Sequence, residues 1–371
     1  MNYSIIKYLK LLLIILGITT LSLKSWSQNP VEGTIKDTEN KNPVKFATIY
    51  INGTTNGTIS NDEGKFRITP GHYPSKLVVS CIGYYRKVLN LEHEGDLGII
   101  YLSRKTEKVA EVTVLGTDNR IDNLKQFREG FLGIDRWGKG AAIENEEAIA
   151  FTRVNEKIEL QNKRSKYIST LIAASKEPLQ IDLPLLGYTL YVDVVQTGFN
   201  KYTESRLGYY YYKPKEDLSK RKKRTIENNR RSAYYNSSMH FLRSLYNRKL
   251  KQHGYMVMKT VINDTTGVVD EVEIDLEKYL KPWGNGKMLC DLKNQKYGIY
   301  YIYSKSGEPL DITIIKKRSF KKSISAIHFL SDSCKFRADG TTPDRSILFS
   351  GTIAFKKIGA SLPSNYDPQK E

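Results

Sequence analysis

The chain has 371 residues, with 58 Lys and Arg against 40 Asp and Glu and a formal net charge of +18. At 40% hydrophobic and 26% charged residues it has the balance of a folded protein, not of a disordered or collagen-like one. Three Cys exclude a disulfide-dense scaffold, no C-x-x-C pair occurs, and none of the five His begins an H-x-H or H-x-x-E pair, so neither a metal nor another cofactor is expected.

In chain order, Lys7 and Lys10 precede an apolar run from Leu11 to Leu23, and small residues follow at Ser25 and Ser27. That pattern predicts a signal peptide over residues 1–27, cut near Gln28. The run stops at Lys24, short of the roughly 20 apolar residues of a membrane anchor. The first cysteine is Cys81, so a lipid anchor at the cleavage site is not expected either. The mature protein is expected to be exported, in the periplasm or on the periplasmic face of the outer membrane, with no transmembrane span after cleavage.

Residues 28–115 alternate with a period of two in short runs at 31–35, 47–51, 65–68, 77–81, 87–91 and 97–102, and 109–115 offers a last strand. Asn52-Gly53, Asn56-Gly57, Asn61-Asp-Glu-Gly64 and Pro70-Gly71 supply turns between them. Short strands with regular turns and no helical period predict an antiparallel sandwich.

The succession Gly33-Thr-Ile-Lys-Asp37, Pro43-Val-Lys-Phe-Ala47, Asn52-Gly-Thr54, Gly57 and Asn61-Asp-Glu-Gly-Lys-Phe66, extended by Ile82-Gly-Tyr84, resembles the carboxypeptidase-regulatory-like domain. The resemblance implies a seven-stranded, transthyretin-like β-sandwich at the front of an exported Gram-negative protein, and no catalysis. The same module precedes the plug in TonB-dependent transporters, where a segment like Ala110–Gly116 follows it. A transporter also needs a barrel of some 22 strands of about 10 residues, and 255 residues follow Gly116, so a transporter is not expected.

Residues 116–165 read as a linker with short helices, and 166–360 as an α+β domain of unknown function. Its strands are expected at 168–174, 179–183, 187–195, 207–212, 255–262, 268–274, 297–304, 310–316, 323–330 and 346–356. Between them Arg230–His253 carries apolar residues at 235, 239, 242, 246 and 250, the stripe of one amphipathic helix closed by Gly254, with Lys215–Asn229 in the same or an adjoining helix. Residues 361–371 read as a polar tail. The fold expected is mainly β: the sandwich plus a C-terminal α+β domain with one long basic helical region. Leu186–Asp193, Tyr209 and Arg231–Leu245 with Gly254-Tyr255 are similar to a group of exported proteins that join the same sandwich to an uncharacterised C-terminal region. That group carries Gly where this chain has Asn236, which implies a loosened turn there.

Charge is local. Residues 201–260 hold 16 Lys and Arg against 4 Asp and Glu. The peak is Lys220, Arg221, Lys222, Lys223 and Arg224, with Arg230 and Arg231 behind it. Export removes nucleic acid as a partner, which leaves an anionic envelope lipid, lipopolysaccharide or glycan, or an acidic envelope protein. The motif residues Tyr234, Tyr235, Ser237, Ser238, Met239 and His240 form a second candidate site. Ser237 and His240 at i, i+3 could face each other on a helix, but no G-x-S-x-G elbow or orienting carboxylate accompanies them. Glu271, Glu273 and Asp275 share a strand face, more often solvated than catalytic. The tyrosine runs 209–212 and 297–303 resemble a sugar-stacking surface, with half of each run expected in the core. Cys290 and Cys334 are left open as a pair. The expectation is a non-catalytic binding or assembly protein. A hydrolase of envelope glycan or peptide, and an accessory of a TonB-dependent uptake system, are the alternatives.

Overall fold

The structure, a computed structural model, describes residues 30–105, 119–159, 165–199, 204–262, 269–284, 286–314, 320–344 and 346–370. The signal peptide and the strand expected at 109–115 lie outside the described residues.

The sandwich contains β1 (Val31–Asp37), β2 (Thr48–Ile51), β3 (Gly57–Ile59), β4 (Lys65–Ile68), β5 (Ser75–Ser80), β6 (Lys87–Leu91) and β7 (Gly95–Leu102). One sheet has the order β4-β1-β7 and the other β3-β2-β5-β6. Alternation does the sorting: in β1, Val31, Gly33, Ile35 and Asp37 turn inward while Glu32 faces solvent. Val31, Ile35, Ile49, Leu77 and Val79 are fully buried between the sheets, each contributing about 1.5–3 kcal/mol of burial free energy. Asp37 closes one end, accepting from Tyr84 Oη at 2.9 Å and Arg104 Nε at 2.6 Å. Seven strands are present within 31–102, because Gly57–Ile59, outside the runs read from the sequence, pairs with β2.

The segment expected to be a linker is built into a core. It forms α1 (Arg120–Phe131), α2 (Arg136–Gly140), β8 (Ala142–Ile143) and β9 (Ile149–Glu159), followed by β10 (Ser165–Ser175), β11 (Leu179–Leu183), β12 (Tyr188–Phe199) and β13 (Glu204–Pro214). The sheet runs β8-β11-β12-β10-β9, with β13 on the free side of β12. Phe127 and Phe131, one helical turn apart, press α1 onto it, with Phe127 meeting Phe199 edge-on at 5.7 Å.

Next come α3 (Lys220–Tyr234), α4 (Ser238–Tyr246), β14 (Tyr255–Ile262), β15 (Val269–Glu273), β16 (Leu280–Trp283), β17 (Gly286–Cys290), β18 (Lys296–Tyr303), β19 (Lys321–Phe329), β20 (Ser333–Phe336), β21 (Ile347–Gly351) and α5 (Thr352–Phe355). A five-stranded sheet, β15-β14-β18-β19-β21, and a small one, β16-β17-β20, enclose a third buried cluster around Phe241, Tyr255, Phe329 and Phe336.

Three further expectations change, and the pairing of Cys290 with Cys334, open in the sequence, is answered. The single helix over 230–253 is two helices, broken where Asn236 takes φ +56°, a conformation Asn and Gly tolerate best. The strand expected at 310–316 is turn and coil over its described residues, 310–314. The strand expected at 346–356 ends at Gly351, φ +75°, because the chain turns into α5. Cys290 and Cys334 are free thiols. Cys290 pairs in register with Ser333 and Cys334 with Leu289, so the two cysteines are offset by one residue and their side chains leave opposite faces of the sheet.

The C-terminal residues do not trail into solvent. Ser364 N–H donates to Gly53 O at 2.7 Å, Asn365 pairs with Thr55, and Ser361 Oγ takes a bond from Tyr212 Oη at 2.9 Å. Leu362 and Tyr366 are buried. This strap crosses the junction of all three cores. Beside it the Asn52-Gly53 turn docks on β13: Gly53 N–H donates to Tyr210 O at 2.7 Å, Tyr212 N–H to Thr54 O at 3.0 Å, and Tyr50 stacks on Tyr211 at 5.4 Å. The run Tyr209–Tyr212 is therefore an internal seam. Gly57 is required there, since a Cβ would meet the Tyr211 ring at 2.5 Å. Among the described residues no helix is long and apolar enough to cross a membrane.

Candidate functional site

Helix α3 starts at the N-cap Ser219 and is anchored by its second half. Ile226, Ala233 and Tyr234 are buried, Asn229 Nδ2 donates to Leu185 O at 3.0 Å, and Arg230 Nε to Leu186 O at 2.8 Å with its guanidinium 4.1 Å from the Tyr188 ring centre. Arg230 thus fastens the helix to the sheet, and Arg231 is half-buried. The first turns differ: Lys220, Arg221, Lys222, Lys223 and Arg224 are all exposed, and among the described residues none of the five makes an ion pair. No acid sits in the first turn. The positive end of the helix dipole adds to these charges, an arrangement that costs the helix stability and concentrates positive potential at one surface point. Of the seven candidate cations, five form this free cluster and two do not join it.

At its other end α3 is closed by Lys356, whose Nζ donates to Ser232 O at 3.1 Å, Ala233 O at 2.9 Å and Tyr235 O. Burial, reinforced by Arg136 and opposed by Asp135, brings Lys356 down to about 7. Tyr235 wedges between two cores, Asn236 makes the left-handed turn, and Ser237 becomes the N-cap of α4, its Oγ accepting from His240 N–H at 3.1 Å. Ser238 is exposed at the helix start, and Met239 packs on the first of those cores. His240 is 3% exposed; its Nδ1 meets Tyr255 Oη at 2.9 Å and the Asn236 N–H at 3.3 Å. The imidazole thus bonds Tyr255, and the Ser237 hydroxyl serves a backbone N–H, so the two residues make no nucleophile–base pair.

Beside α4 the strap borders a cleft of about 830 Å³. Arg243, which sequence reasoning did not single out, holds the strap: its guanidinium donates to Asp339 O at 2.9 Å, Tyr366 O at 2.7 Å and Ser364 O at 2.9 Å. His72 Nε2 lies 3.1 Å from Asp339 Oδ2 and joins the sandwich to the same cleft. Burial opposes ionisation of Asp339, but the bonds from His72 and Thr341 hold its carboxyl below the usual range. His253, also missed, stacks on His240 at 5.6 Å. Only the Asn-for-Gly position at 236 signalled in the sequence that α4 begins anew and turns His240 inward. Among the described residues no cluster of His, Cys, Asp and Glu could hold a metal.

Residues 31–114 match the model of the CarboxypepD_reg-like domain. The TonB-dependent receptor SusC of Bacteroides thetaiotaomicron is 33% identical over 108 residues, which is 29% of this chain and 10% of that receptor. The chain therefore spans about a tenth of the length of the curated relative it matches. A solved type II cohesin–X-dockerin complex from Acetivibrio cellulolyticus aligns with 20% of this chain and 56% of its own, at 18% identity and a TM-score of 0.18.

Proposed function

We propose that this chain, whose residues 31–114 match the model of the CarboxypepD_reg-like domain, is a non-catalytic binding and assembly protein of a Gram-negative envelope. In this reading the first turns of α3 hold the phosphates of anionic lipid or lipopolysaccharide. The observation that carries it is five consecutive exposed cations, unpaired among the described residues, at the positive end of a helix with no acid in its first turn. A solvated helix face does not need charges placed against its own dipole. The envelope setting is supported by the apolar run at residues 11–23 and by the similarity to a TonB-dependent receptor over the N-terminal module. The docked sandwich, held by the Tyr209–Tyr212 seam and the strap, presents α3 from a fixed body.

Binding of this kind is electrostatic and should weaken steeply once salt shortens the Debye length to about 8 Å and below. Vesicles of phosphatidylglycerol and vesicles carrying lipopolysaccharide, set against neutral phosphatidylcholine across a salt series, test it. Salt-sensitive binding to the anionic vesicles, absent when Lys220, Arg221, Lys222, Lys223 and Arg224 are replaced by Gln, supports the reading. Binding confined to an acidic polysaccharide or an acidic protein, or unchanged by the replacement, overturns it.

A further inference from the structure

The cleft beside the strap plays no part in that reading, and its floor has a defined hydrogen-bonding polarity. Three of the chain's five histidines line it, His72, His240 and His253, together with four tyrosines, Tyr235 among them. His240 Nδ1 accepts the Asn236 backbone N–H at 3.3 Å, and an N–H can only donate, so Nδ1 is the bare nitrogen. The proton of the neutral ring therefore sits on Nε2.

The neighbouring ring has the opposite tautomer. Ser244 Oγ donates to His240 O at 2.6 Å, so its oxygen accepts from His253 Nδ1 at 2.8 Å. That fixes the proton of His253 on Nδ1 and leaves Nε2 as an acceptor. Burial lowers the pKa of both rings, reinforced at His240 by His253, Lys356 and Arg243, and at His253 reinforced by Lys249 and opposed by Asp311. The two imidazoles stack at 5.6 Å with 20° between their planes and both border the cleft, one carrying a donor and the other an acceptor.

A hydroxyl satisfies both atoms at once, accepting from one and donating to the other. A carboxylate or phosphate can use only the donor, and an ammonium only the acceptor. A metal is disfavoured, because the protonated Nε2 of His240 has no lone pair to give. Half-buried Tyr235 adds an aromatic ring of the kind that packs against the apolar face of a pyranose. We propose that this cleft binds a saccharide, with one sugar hydroxyl bridging His240 Nε2–H and His253 Nε2. The site is separate from the cations of α3 and does not depend on them.

The test uses the full chain and three probes, maltohexaose, cellohexaose and trigalacturonate, followed by long-range imidazole ¹H–¹⁵N spectra. Without sugar, the spectra should show His240 protonated on Nε2 and His253 on Nδ1. At least one probe should move both resonances with a Kd of about 1 mM or tighter. His253→Phe keeps the stacked ring and removes the acceptor, and should weaken that binding about tenfold. Ser244→Ala frees the His253 tautomer and should weaken it less, with near-ultraviolet dichroism unchanged. The variant with Gln at the five α3 cations should bind the sugar as the parent does. The proposal is overturned if His253 carries its proton on Nε2, or if no probe moves either imidazole at about 10 mM.

Discussion

Helices α3 and α4 follow each other with only Tyr235, Asn236 and Ser237 between them, and they use their cations in opposite ways. On α3 five positive side chains stand in solvent against the helix dipole and, among the described residues, touch no acid. On α4 the half-buried Arg243 spends its guanidinium on three backbone carbonyls and carries no surface potential of that kind. The same chemistry is a field in one helix and a bolt in the other. Sequence composition adds the two together, whereas the fold separates them.

The comparison breaks most visibly at the bolt. Arg243→Ala leaves three carbonyls without their donor and frees the strap, and should cost about 3–5 kcal/mol in urea unfolding. A loss below about 1 kcal/mol would mean the strap holds without it.

Lys356→Met removes the donor that closes α3 and should cost about 2–3 kcal/mol. Its pH dependence is the sharper readout. The folded lysine releases its proton near 7 and the unfolded one near 10.5, so between those values the unfolded state binds the extra proton. Wild-type stability should therefore rise relative to the Met variant as pH climbs through that window, and fall again as pH drops toward 7. Parallel curves for the two proteins would show that Lys356 keeps its proton in the fold.

Gly57→Ala pushes a methyl into the Tyr211 ring and should cost about 1–2 kcal/mol by loosening the sandwich from β13. His72→Ala removes the contact of His72 Nε2 with Asp339, half in solvent on the histidine side, and should cost less than about 1 kcal/mol.

How much of this was legible differs between the halves of the chain. The sandwich reads directly, because each strand keeps one face inward and Asn-Gly pairs mark its turns. Even so, Gly57–Ile59 was hidden, since three residues are too few to show a period. In the C-terminal body the apolar positions 235, 239, 242 and 246 are right, but the stripe runs through a break. Periodicity counts residues and does not see a left-handed turn at Asn236. The strap was unreadable for a similar reason. Ser361–Asp367 is polar and aperiodic, and it is held by main-chain atoms and by Arg243, far away in sequence. The free cation cluster was visible as charge, while the assignment of Arg230 to the sheet needed the Tyr188 ring beneath it.

In the proposed function the cations of α3 serve a surface and not the fold. The direct measurement is sedimentation of residues 28–371 with phosphatidylglycerol vesicles, before and after Lys220, Arg221, Lys222, Lys223 and Arg224 become Gln, with urea stability measured on both. Vesicle binding should disappear while stability stays level or rises by a few tenths of a kcal/mol, because charges opposing the dipole are gone. Vesicle binding that persists, or a variant clearly less stable than the parent, would contradict it.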